Sequence, residues 1–346
     1  MRTIYSERQR LHSMSGEFNR GVLRTPYERP ERADRIVDAL TAAHLGSIES
    51  PSIFPVSHAA RVHRPNYVEF LQTAYAKWVA AGRTGDALPT AWAIRGLRSD
   101  RIPTSIDGEL SYYSFDSVTA ITAGTWEAAK SSMDVALSGA QHLVARHETT
   151  VFSLCRPIGH HAASDYFGGY CYLNNAAIAA QYLHEHGATR VAVLDVDYHH
   201  GNGSQNIFYR RPDVLYVSIH ADPATDYPYF LGYADELGEA AGKGFNRNLP
   251  LERGADWARW SDALEIACEV VRNYAADALV VSLGVDTFEK DPLSAFRLQS
   301  EDYLRMGERI GRLHMPTLIV MEGGYAIDEI GINVANALCG FLQSAG

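Results

Sequence analysis

The stretch that decides the fold is Val191-Ala-Val-Leu-Asp-Val-Asp-Tyr-His-His200, an apolar run that leads directly into carboxylates and imidazoles. Residues 191–194 are too few for a helix, and their β-branched side chains are typical of a buried strand. Comparable apolar runs, each bounded by Asp, Gly, Pro or Asn, occur at 151–154, 214–217, 278–283 and 317–320. The sequence therefore predicts five buried strands.

Helical patterns lie between and around these runs. Apolar residues recur every three or four positions at 30–40 (ending near Gly46), 118–146, 173–186, 256–275, 301–313 and 327–343. Strands that alternate with helices indicate an α/β fold with a mostly parallel sheet covered on both faces. No repeat or linker interrupts the pattern, so we expect one domain over residues 1–346. Residues 85–117 are rich in Gly, Pro and Arg, and predict a long loop that shapes the entrance to a site.

Composition excludes several classes of protein. The chain of 346 residues has a net charge of −10, which argues against nucleic acid as its partner. No apolar run approaches the ~18 residues of a membrane span, and residues 1–8 contain no apolar signal region. The 4 cysteines have no CxxC spacing and indicate reduced thiols in a cytoplasmic protein.

Polar clusters follow each predicted strand at the point where the strand ends. The carboxyl ends of parallel strands meet at one edge of a sheet, which is where open α/β sheets bind ligands. We therefore expect the clusters to converge there: His160-His161, Asp195 to His200, His220, Asp286, and Gly323-Gly324-Tyr325.

Asp197 and His199 are two residues apart, so on an extended segment their side chains point the same way. With Asp286 as third ligand they would form a site of borderline hardness that suits zinc and leaves a position open for water. Asp195 shares their parity and could orient a ligand. The alternative is that Asp and His only cap a helix beginning near Asn202.

Three further side chains could do chemistry beside a metal. Paired histidines titrate near neutral pH, so His160 and His161 could act as general acid and base, oriented by Asp195 and Asn202. Tyr325, after two glycines, could donate a hydrogen bond to a developing oxyanion. The alternatives are two histidines satisfied in the core and a tyrosine packed on the next helix. His184-Glu185-His186 precedes Gly187 and indicates a solvated helix end.

These strings together resemble the histone deacetylase family, which has the arginase/deacetylase fold. The matching strings are Arg156-Pro-Ile-Gly-His-His-Ala162, Gly169-Tyr-Cys-Tyr-Leu-Asn-Asn175, Leu194-Asp-Val-Asp-Tyr-His-His-Gly-Asn-Gly203, Ser282-Leu-Gly-Val-Asp-Thr287 and Glu322-Gly-Gly-Tyr325. A weaker match, Val62-His-Arg-Pro-Asn-Tyr-Val-Glu-Phe-Leu71, resembles an earlier family helix. Within the family the chain is most similar to the bacterial acetylpolyamine amidohydrolases, through Arg101-Ile-Pro-Thr104, Tyr112-Tyr113, Gly124-Thr-Trp126 and Tyr229-Phe-Leu-Gly-Tyr233.

The resemblance implies a role for each site residue. Asp197, His199 and Asp286 would be the zinc ligands, although ferrous iron is an alternative metal. His161 would be the general base and acid, His160 its electrostatic partner, and Tyr325 the group that polarises the carbonyl.

Other implied sites surround this centre. A structural potassium ion would be held by Asp195, Ser218 and the backbone carbonyls of Asp197, His199 and Ile219. The substrate tunnel would be lined by Tyr170, Tyr227, Asp107 and Asp116.

The resemblance implies an amidohydrolase that deacetylates acetylated polyamines and diamines, acting as a homodimer whose loop near 85–117 narrows the tunnel entrance. Three positions depart from relatives: Ile158 replaces a proline and would loosen the loop before the histidines, Asn202 makes His161 less basic, and Val118 replaces a glutamate, which favours diamines. The alternatives are a deacetylase of acetyl-lysine peptides or other small N-acyl amines, and a non-catalytic binding module. Arginase-type chemistry fits less well because it needs a dinuclear manganese site.

Overall fold

The fold is organised around one sheet of eight strands, in which every neighbouring pair runs parallel. The computed structural model describes residues 1–345. The strands of the sheet are β1 (Arg2–Ile4), β4 (Ile48–Glu49), β5 (Thr150–Ser153), β6 (Val191–Asp195), β7 (Val214–Ala221), β8 (Asn246–Leu251), β9 (Ala278–Leu283) and β10 (Thr317–Met321). Their order is β4-β1-β5-β10-β9-β6-β7-β8. A separate antiparallel hairpin is formed by β2 (Glu17–Asn19) and β3 (Val22–Arg24).

Nine α-helices surround the sheet within residues 1–345. They are α1 (Glu31–Ala42), α2 (Pro65–Ala80), α3 (Ile106–Tyr113), α4 (Thr125–Val144), α5 (Asn175–Glu185), α6 (Asn202–Phe208), α7 (Trp257–Tyr274), α8 (Ser300–Gly311) and α9 (Ile330–Ser344). None of the helices in this part of the chain is both long enough and apolar enough to span a membrane.

Alternation along the strands divides the core into two layers. Val193 and Val280 point to one face, where they join a buried cluster with α2, α4 and α5. Leu194 and Val281 point to the other face and pack with α1, α7, α8 and α9. Because both faces are covered, the central strands are buried at every position and apolar over most of their length, which is why they were recognisable as short apolar runs.

The structure confirms the predicted fold class, a parallel sheet with helices on both faces. All five predicted strands are present, and each predicted helix overlaps an observed one, although α4 begins at Thr125 and not near 118. The prediction of a continuous loop over 85–117 is wrong in one part. Ser105 accepts a hydrogen bond from the Gly108 N–H and so caps α3, whose Ile106, Leu110 and Tyr113 are buried.

Candidate active site

The carboxyl edge of the sheet carries the candidate site, as the strand order requires. His160 and His161 follow β5, Asp197 and His199 follow β6, Asp286 follows β9, and Tyr325 follows β10. A cavity of about 810 Å³ opens above this edge, and His161, His199 and Tyr325 form part of its lining. The structure therefore brings together residues separated by more than 160 positions in the sequence.

Asp197, His199 and Asp286 form a buried triangle. Their candidate ligand atoms all lie within 4.8 Å of one another. His199 Nδ1 is 3.0 Å from Asp286 Oδ2 and 3.3 Å from Asp197 Oδ1. Two carboxylates and one imidazole are a donor set of borderline hardness that fits zinc or ferrous iron. The capping alternative does not hold, because α6 receives no side-chain cap and its N-cap is Gly201.

Two glycines keep space open around this triangle. A Cβ on Gly284 would lie 2.1 Å from Asp197 Oδ2, and one on Gly323 would lie 2.5 Å from Asp286 Oδ2 and 2.6 Å from Asp197 Oδ2. The two carboxylates are buried side by side, and such a pair is costly unless a cation balances its charge. The residues present therefore fit a divalent metal.

The two histidines after β5 are held by different partners. His160 Nδ1 lies 3.1 Å from Asp195 Oδ2, whereas His161 Nδ1 lies 2.6 Å from the amide oxygen of Asn202. An amide oxygen only accepts, so Nδ1 of His161 carries the proton and its Nε2 is the free basic nitrogen. Both orienting partners are those predicted from the sequence.

Their surroundings drive the two pKa values apart. Burial lowers the pKa of His161 well below its usual value, and the positive charge of His160 lowers it further. Burial also acts to lower the pKa of His160, but the carboxylates of Asp197, Asp195 and Glu322 outweigh it and raise that pKa. The ring centres are 4.1 Å apart, so a neutral and a charged imidazole lie side by side, an arrangement suited to acid–base chemistry.

Tyr325 is held in place because residues from elsewhere in the chain contact its loop. Its N–H donates to Asp291 Oδ2 at 2.6 Å. Arg32 donates to the carbonyls of Glu322 and Gly324 at 2.7 and 2.6 Å, and its guanidinium lies over the Tyr325 ring, 4.8 Å from the centroid. Burial raises the pKa of the phenol well above its usual value, so Tyr325 remains a hydrogen-bond donor.

Aromatic side chains form the walls of the cavity. Tyr170 makes an edge contact with Tyr325 at 5.7 Å, and Tyr227 makes one with His161 at 5.2 Å. Phe115, which the sequence did not single out, stacks on Tyr227 at 5.7 Å. Asp116 also lines the cavity, and its carboxylate accepts from the Tyr227 hydroxyl at 2.8 Å and from the Gly169 N–H at 2.5 Å.

Three expectations need correction. Asp107 does not line the cavity of its own chain, because α3 turns its carboxylate toward Arg83, 2.6 Å away. His220 belongs to β7 and is satisfied in the core by Ser218 Oγ and the Gly232 carbonyl. Ile158 does not loosen its loop, because it is buried, and Glu322 accepts from the next two N–H groups.

The structure also places the residues of the predicted potassium site, Val118 and the predicted helix end near Gly187. Asp195 and Ser218 are buried opposite one another on β6 and β7, next to the residues whose carbonyls were expected to hold potassium. Val118 contributes to the cavity lining. His184 lies in the last turn of α5 and His186 just after it, which confirms the helix end.

Sequence reasoning missed four buried residues that support the site: Arg32, Glu28, Asp291 and Glu322. Glu28 accepts from Arg156 and from Arg32, which in turn binds the Tyr325 loop. Only Glu322, next to the double glycine, stood inside a recognised string. The others stand outside every recognised string, because their contacts with the site, to Arg156, Gly324 and Tyr325, join distant parts of the sequence.

Fold and site together define a deacetylase-type α/β metalloenzyme scaffold. The model of the histone deacetylase domain matches residues 26–341, and the chain belongs to this family. It is 58% identical over 341 residues to acetylpolyamine amidohydrolase 2 of Pseudomonas aeruginosa, covering 99% of this chain and 98% of the relative. It is 48% identical over 340 residues to the acetylpolyamine amidohydrolase of Mycoplana ramosa, covering 98% and 99%.

The fold is also similar to that of a solved acetylpolyamine aminohydrolase structure. The crystal structure of an acetylpolyamine aminohydrolase from Burkholderia pseudomallei superposes with a TM-score of 0.93 at 40% identity, covering 99% of this chain and 98% of the other. The likeness extends over nearly the whole length of both chains, so the strands that carry the candidate site lie within it.

Proposed function

We propose that this protein is a zinc-dependent amidohydrolase that removes the acetyl group from N-acetylated diamines and polyamines. The observation that carries the proposal is the buried triangle of Asp197, His199 and Asp286 beside a neutral imidazole and a phenol in one cavity. The relatives named for this activity, similar to the chain over nearly its whole length, support the same substrate class.

Asp197, His199 and Asp286 would hold the metal. When bound, zinc supplies a Lewis acid that polarises the amide carbonyl and makes water more acidic. His161, through its free Nε2, takes a proton from the attacking water as the water oxygen bonds to the carbonyl carbon. The Tyr325 hydroxyl donates to the oxygen on which negative charge develops, and the charged His160 stabilises the same charge.

Collapse of the tetrahedral species breaks the carbon–nitrogen bond. His161 then returns its proton to the leaving nitrogen, so the products are acetate and a free amine. The apolar walls formed by Phe115, Tyr170 and Tyr227 exclude water from the reacting amide and enclose the methylene chain of the substrate.

An acetate-release assay tests the proposal. Acetylputrescine, acetylcadaverine, an acetylated triamine and an acetyl-lysine peptide are incubated with the chelated and the zinc-restored protein. We expect zinc-dependent release from the small amines and little from the peptide. Faster release from the peptide would make the protein a lysine deacetylase. No chelator-sensitive release from any compound would overturn the enzymatic function.

We also propose that the protein is a homodimer. Large apolar side chains are exposed around the cavity entrance and nearby, including Phe230 at 87% and Phe18 at 55%, and further along the chain Ile94 at 69% and Leu97 at 63%. Exposed apolar groups of this size are typical of association surfaces. Light scattering coupled to gel filtration measures the oligomeric state, and a monomer at micromolar concentration would contradict the proposal.

A potassium ion and a cytoplasmic location complete the proposal. The buried Asp195 carboxylate opposite Ser218 supports a monovalent cation behind the metal ligands, and activity should fall when potassium is replaced by tetramethylammonium. The four free cysteines, of which three are buried, support a reducing compartment.

A further inference from the structure

The charged side chains of the cavity wall leave it without a net charge. In the described part of the chain, and apart from the histidines at the base, they are two cations and two anions: Arg20, Asp116, Asp226 and Arg253. Asp226 and Arg253 neutralise each other in an ion pair of 2.5 Å. Asp116 accepts only from neutral N–H and hydroxyl groups, so its charge stays available to a substrate ammonium. With a neutral wall, an ammonium group gains most from the groups that it touches directly.

Aromatic rings form much of the remaining wall, and one of them is an indole. The face of an aromatic ring attracts cations, and tryptophan attracts them more strongly than tyrosine or phenylalanine. Of the residues that line the cavity between positions 1 and 345, Trp92 is the single tryptophan. It lies in the segment 85–117 and is half-buried. Trp92 is therefore the strongest aromatic group on this wall for holding an ammonium ion.

The ring of Trp92 has no cation or aromatic ring of the protein against its faces. Elsewhere the chain covers tryptophan faces with arginine: the Arg83 guanidinium lies 5.4 Å from the ring centre of Trp78, and that of Arg309 lies 5.0 Å from the ring centre of Trp257. Within residues 1–345, Trp92 has no such arginine or lysine, packs against no second ring and belongs to none of the buried apolar clusters. Its face is therefore open to a cation that enters the cavity.

A hydrogen bond fixes the orientation of the indole. The Trp92 N–H donates to Ser114 Oγ at 3.2 Å. Ser114 is buried and directly precedes Phe115 and Asp116, which both line the cavity. Because the ring is already held in place, little side-chain freedom is lost when a ligand binds to it. The indole is thus tied to the same segment of wall that carries the available carboxylate.

Trp92 also lies at the end of the cavity where a distal amine would be found. The ring centre of Phe115 is 6.3 Å from that of His161 at the base. His161 is buried, whereas Trp92 is half-buried, so the indole lies nearer the open end of the cavity. An acetamide bound beside His161 extends its other end in this direction.

We propose that Trp92 is a specificity-determining residue whose indole face binds the distal ammonium group of the substrate through a cation–π interaction. The proposal rests on the proposed deacetylase function and specifies its substrate class further. The indole face and the Asp116 carboxylate together attract the cation on a wall whose other charges cancel. Because a cation–π interaction needs no N–H donor, the substrates include acetamides that end in N-methylated and quaternary ammonium groups.

A matched pair of substrates separates the charge from the shape of the distal group. (5-Acetamidopentyl)trimethylammonium and N-(6,6-dimethylheptyl)acetamide have the same methylene chain and end in a trimethylammonium and a tert-butyl group, which have nearly the same shape. kcat/KM is measured for both, and for acetylcadaverine, with the zinc-loaded wild type and with W92F, W92L and W126F. Trp126, which packs on the core and is absent from the cavity lining, provides the control substitution.

We expect W92L to lower the ratio of kcat/KM for the trimethylammonium substrate to that for the tert-butyl substrate by about threefold to tenfold, the range of a cation–π interaction at a partly exposed site. W92F should lower the ratio by a smaller factor, since phenylalanine attracts cations less strongly than tryptophan. Acetylcadaverine should lose activity together with the trimethylammonium substrate. W126F should leave the ratio within about twofold of the wild-type value.

Fluorinated tryptophan provides a second measurement that hardly changes the shape of the ring. Fluorine withdraws electrons from the ring face and weakens its attraction for a cation. The wild type prepared with 5-fluorotryptophan should therefore show a lower ratio, and the protein with 5,6,7-trifluorotryptophan a lower ratio still. The same labels in W92F test the other tryptophans and should leave the ratio unchanged.

An equal loss of kcat/KM for the trimethylammonium and tert-butyl substrates in W92L would show that Trp92 is only an apolar wall, and would overturn the proposal. An unchanged ratio would overturn it as well. If the wild type releases acetate neither from these compounds nor from acetylputrescine, the proposed deacetylase function fails instead. The ratio is then taken from dissociation constants measured by calorimetry: a loss of preference for the cation in W92L supports the role of Trp92, whereas an unchanged preference, or no binding of either compound, refutes it.

Discussion

Glu28 shows how a single buried carboxylate supports a site from a distance. It neutralises Arg156, which precedes the paired histidines, and Arg32, which holds the Tyr325 loop. Burial alone would raise the pKa of Glu28, but the two guanidinium groups outweigh it and lower that pKa. The carboxylate therefore stays ionised in the folded protein at neutral pH.

Glu28→Gln should leave two buried guanidinium groups without a counter-charge and lower the free energy of unfolding by roughly 3–5 kcal/mol. Because the folded pKa lies below the unfolded one, this stability is complete above the unfolded pKa of ~4.3 and is lost as pH falls through the folded pKa. Urea unfolding at pH 7 and pH 4 should therefore show a smaller difference from wild type at pH 4. Glu31→Gln, at an exposed ion pair, is the control and should cost less than ~1 kcal/mol. A difference that is the same at both pH values would contradict this account.

Tyr325→Phe should lower kcat by about 10²–10³, the effect of removing one oxyanion donor, and leave KM nearly unchanged. The aromatic ring, its contact with Tyr170 and the Arg32 stacking all remain, so the loop keeps its place. Steady-state kinetics on acetylputrescine checks the effect, with Tyr112→Phe as a control outside the cavity lining. A Tyr325→Phe protein that retains most of its turnover would remove this residue from the mechanism.

The buried triangle of Asp197, His199 and Asp286 and the paired histidines could be predicted because each follows a buried strand, so strand parity and the sheet edge determine their positions. The buried charged residues that support the site could not be predicted in this way. Arg32 looks like a solvent-facing helix residue in the sequence, yet it donates to Gly324 across 292 positions. The predicted tunnel position of Asp107 was wrong because nothing in the local sequence indicates that Asp107, on α3, pairs with Arg83. Long-range pairing of charges has no short-range signal.

Among the secondary-structure elements, the central strands could be predicted from the sequence, whereas the edge strands and the short strands could not. The central strands each contain a run of apolar residues bounded by turn residues, so they were recognisable. The edge strand β8, whose sequence is NRNLPL, begins with three polar residues and contains a proline. β1 and β4 have three and two residues and carry too little pattern to identify. Edges of a sheet are less constrained by burial, and their sequences are correspondingly weaker signals.

Helices α8 and α9 pack closely through glycine. A Cβ on Gly340 would lie 1.9 Å from the Leu304 carbonyl oxygen, and one on Gly307 would lie 2.0 Å from that of Ala337. Backbone atoms cannot move aside as a flexible side chain can, so a methyl group at either position must separate the helices. The two helices cover the face of the sheet opposite α4 and α5.

Gly340→Ala should therefore lower the free energy of unfolding by about 1–3 kcal/mol through overpacking, although alanine favours helix. Catalytic constants measured well below the melting temperature should not change, because neither helix contributes a residue to the cavity lining. Ser344→Ala, in the last turn of α9, is the control for a mutation in the same helix. An increase in melting temperature for Gly340→Ala would show that the helices are not in close contact at this point.

On the scale of the whole molecule, the site depends on the complete sheet. Asp197 and Asp286 follow neighbouring central strands, Tyr325 follows a third, and Glu28 links the N-terminal residues to the loop after a fourth. We propose that residues 1–346 fold as one cooperative unit, because four strand ends and the N-terminal Glu28 all contribute to one site. Calorimetric and van't Hoff enthalpies of unfolding should then agree.

Zinc should stabilise this unit by binding only to the folded state. At a free concentration of 1,000 times Kd, it would add about 4 kcal/mol, which for a chain of this size raises the melting temperature on the order of 5–10 °C. Differential scanning calorimetry of chelated and zinc-restored protein measures the shift, and no substrate is needed. Asp286→Asn should abolish the shift, whereas Asp262→Asn, exposed on α7, should keep it. A melting temperature independent of zinc in the wild type, or a full shift in Asp286→Asn, would show that the buried triangle is not the metal site.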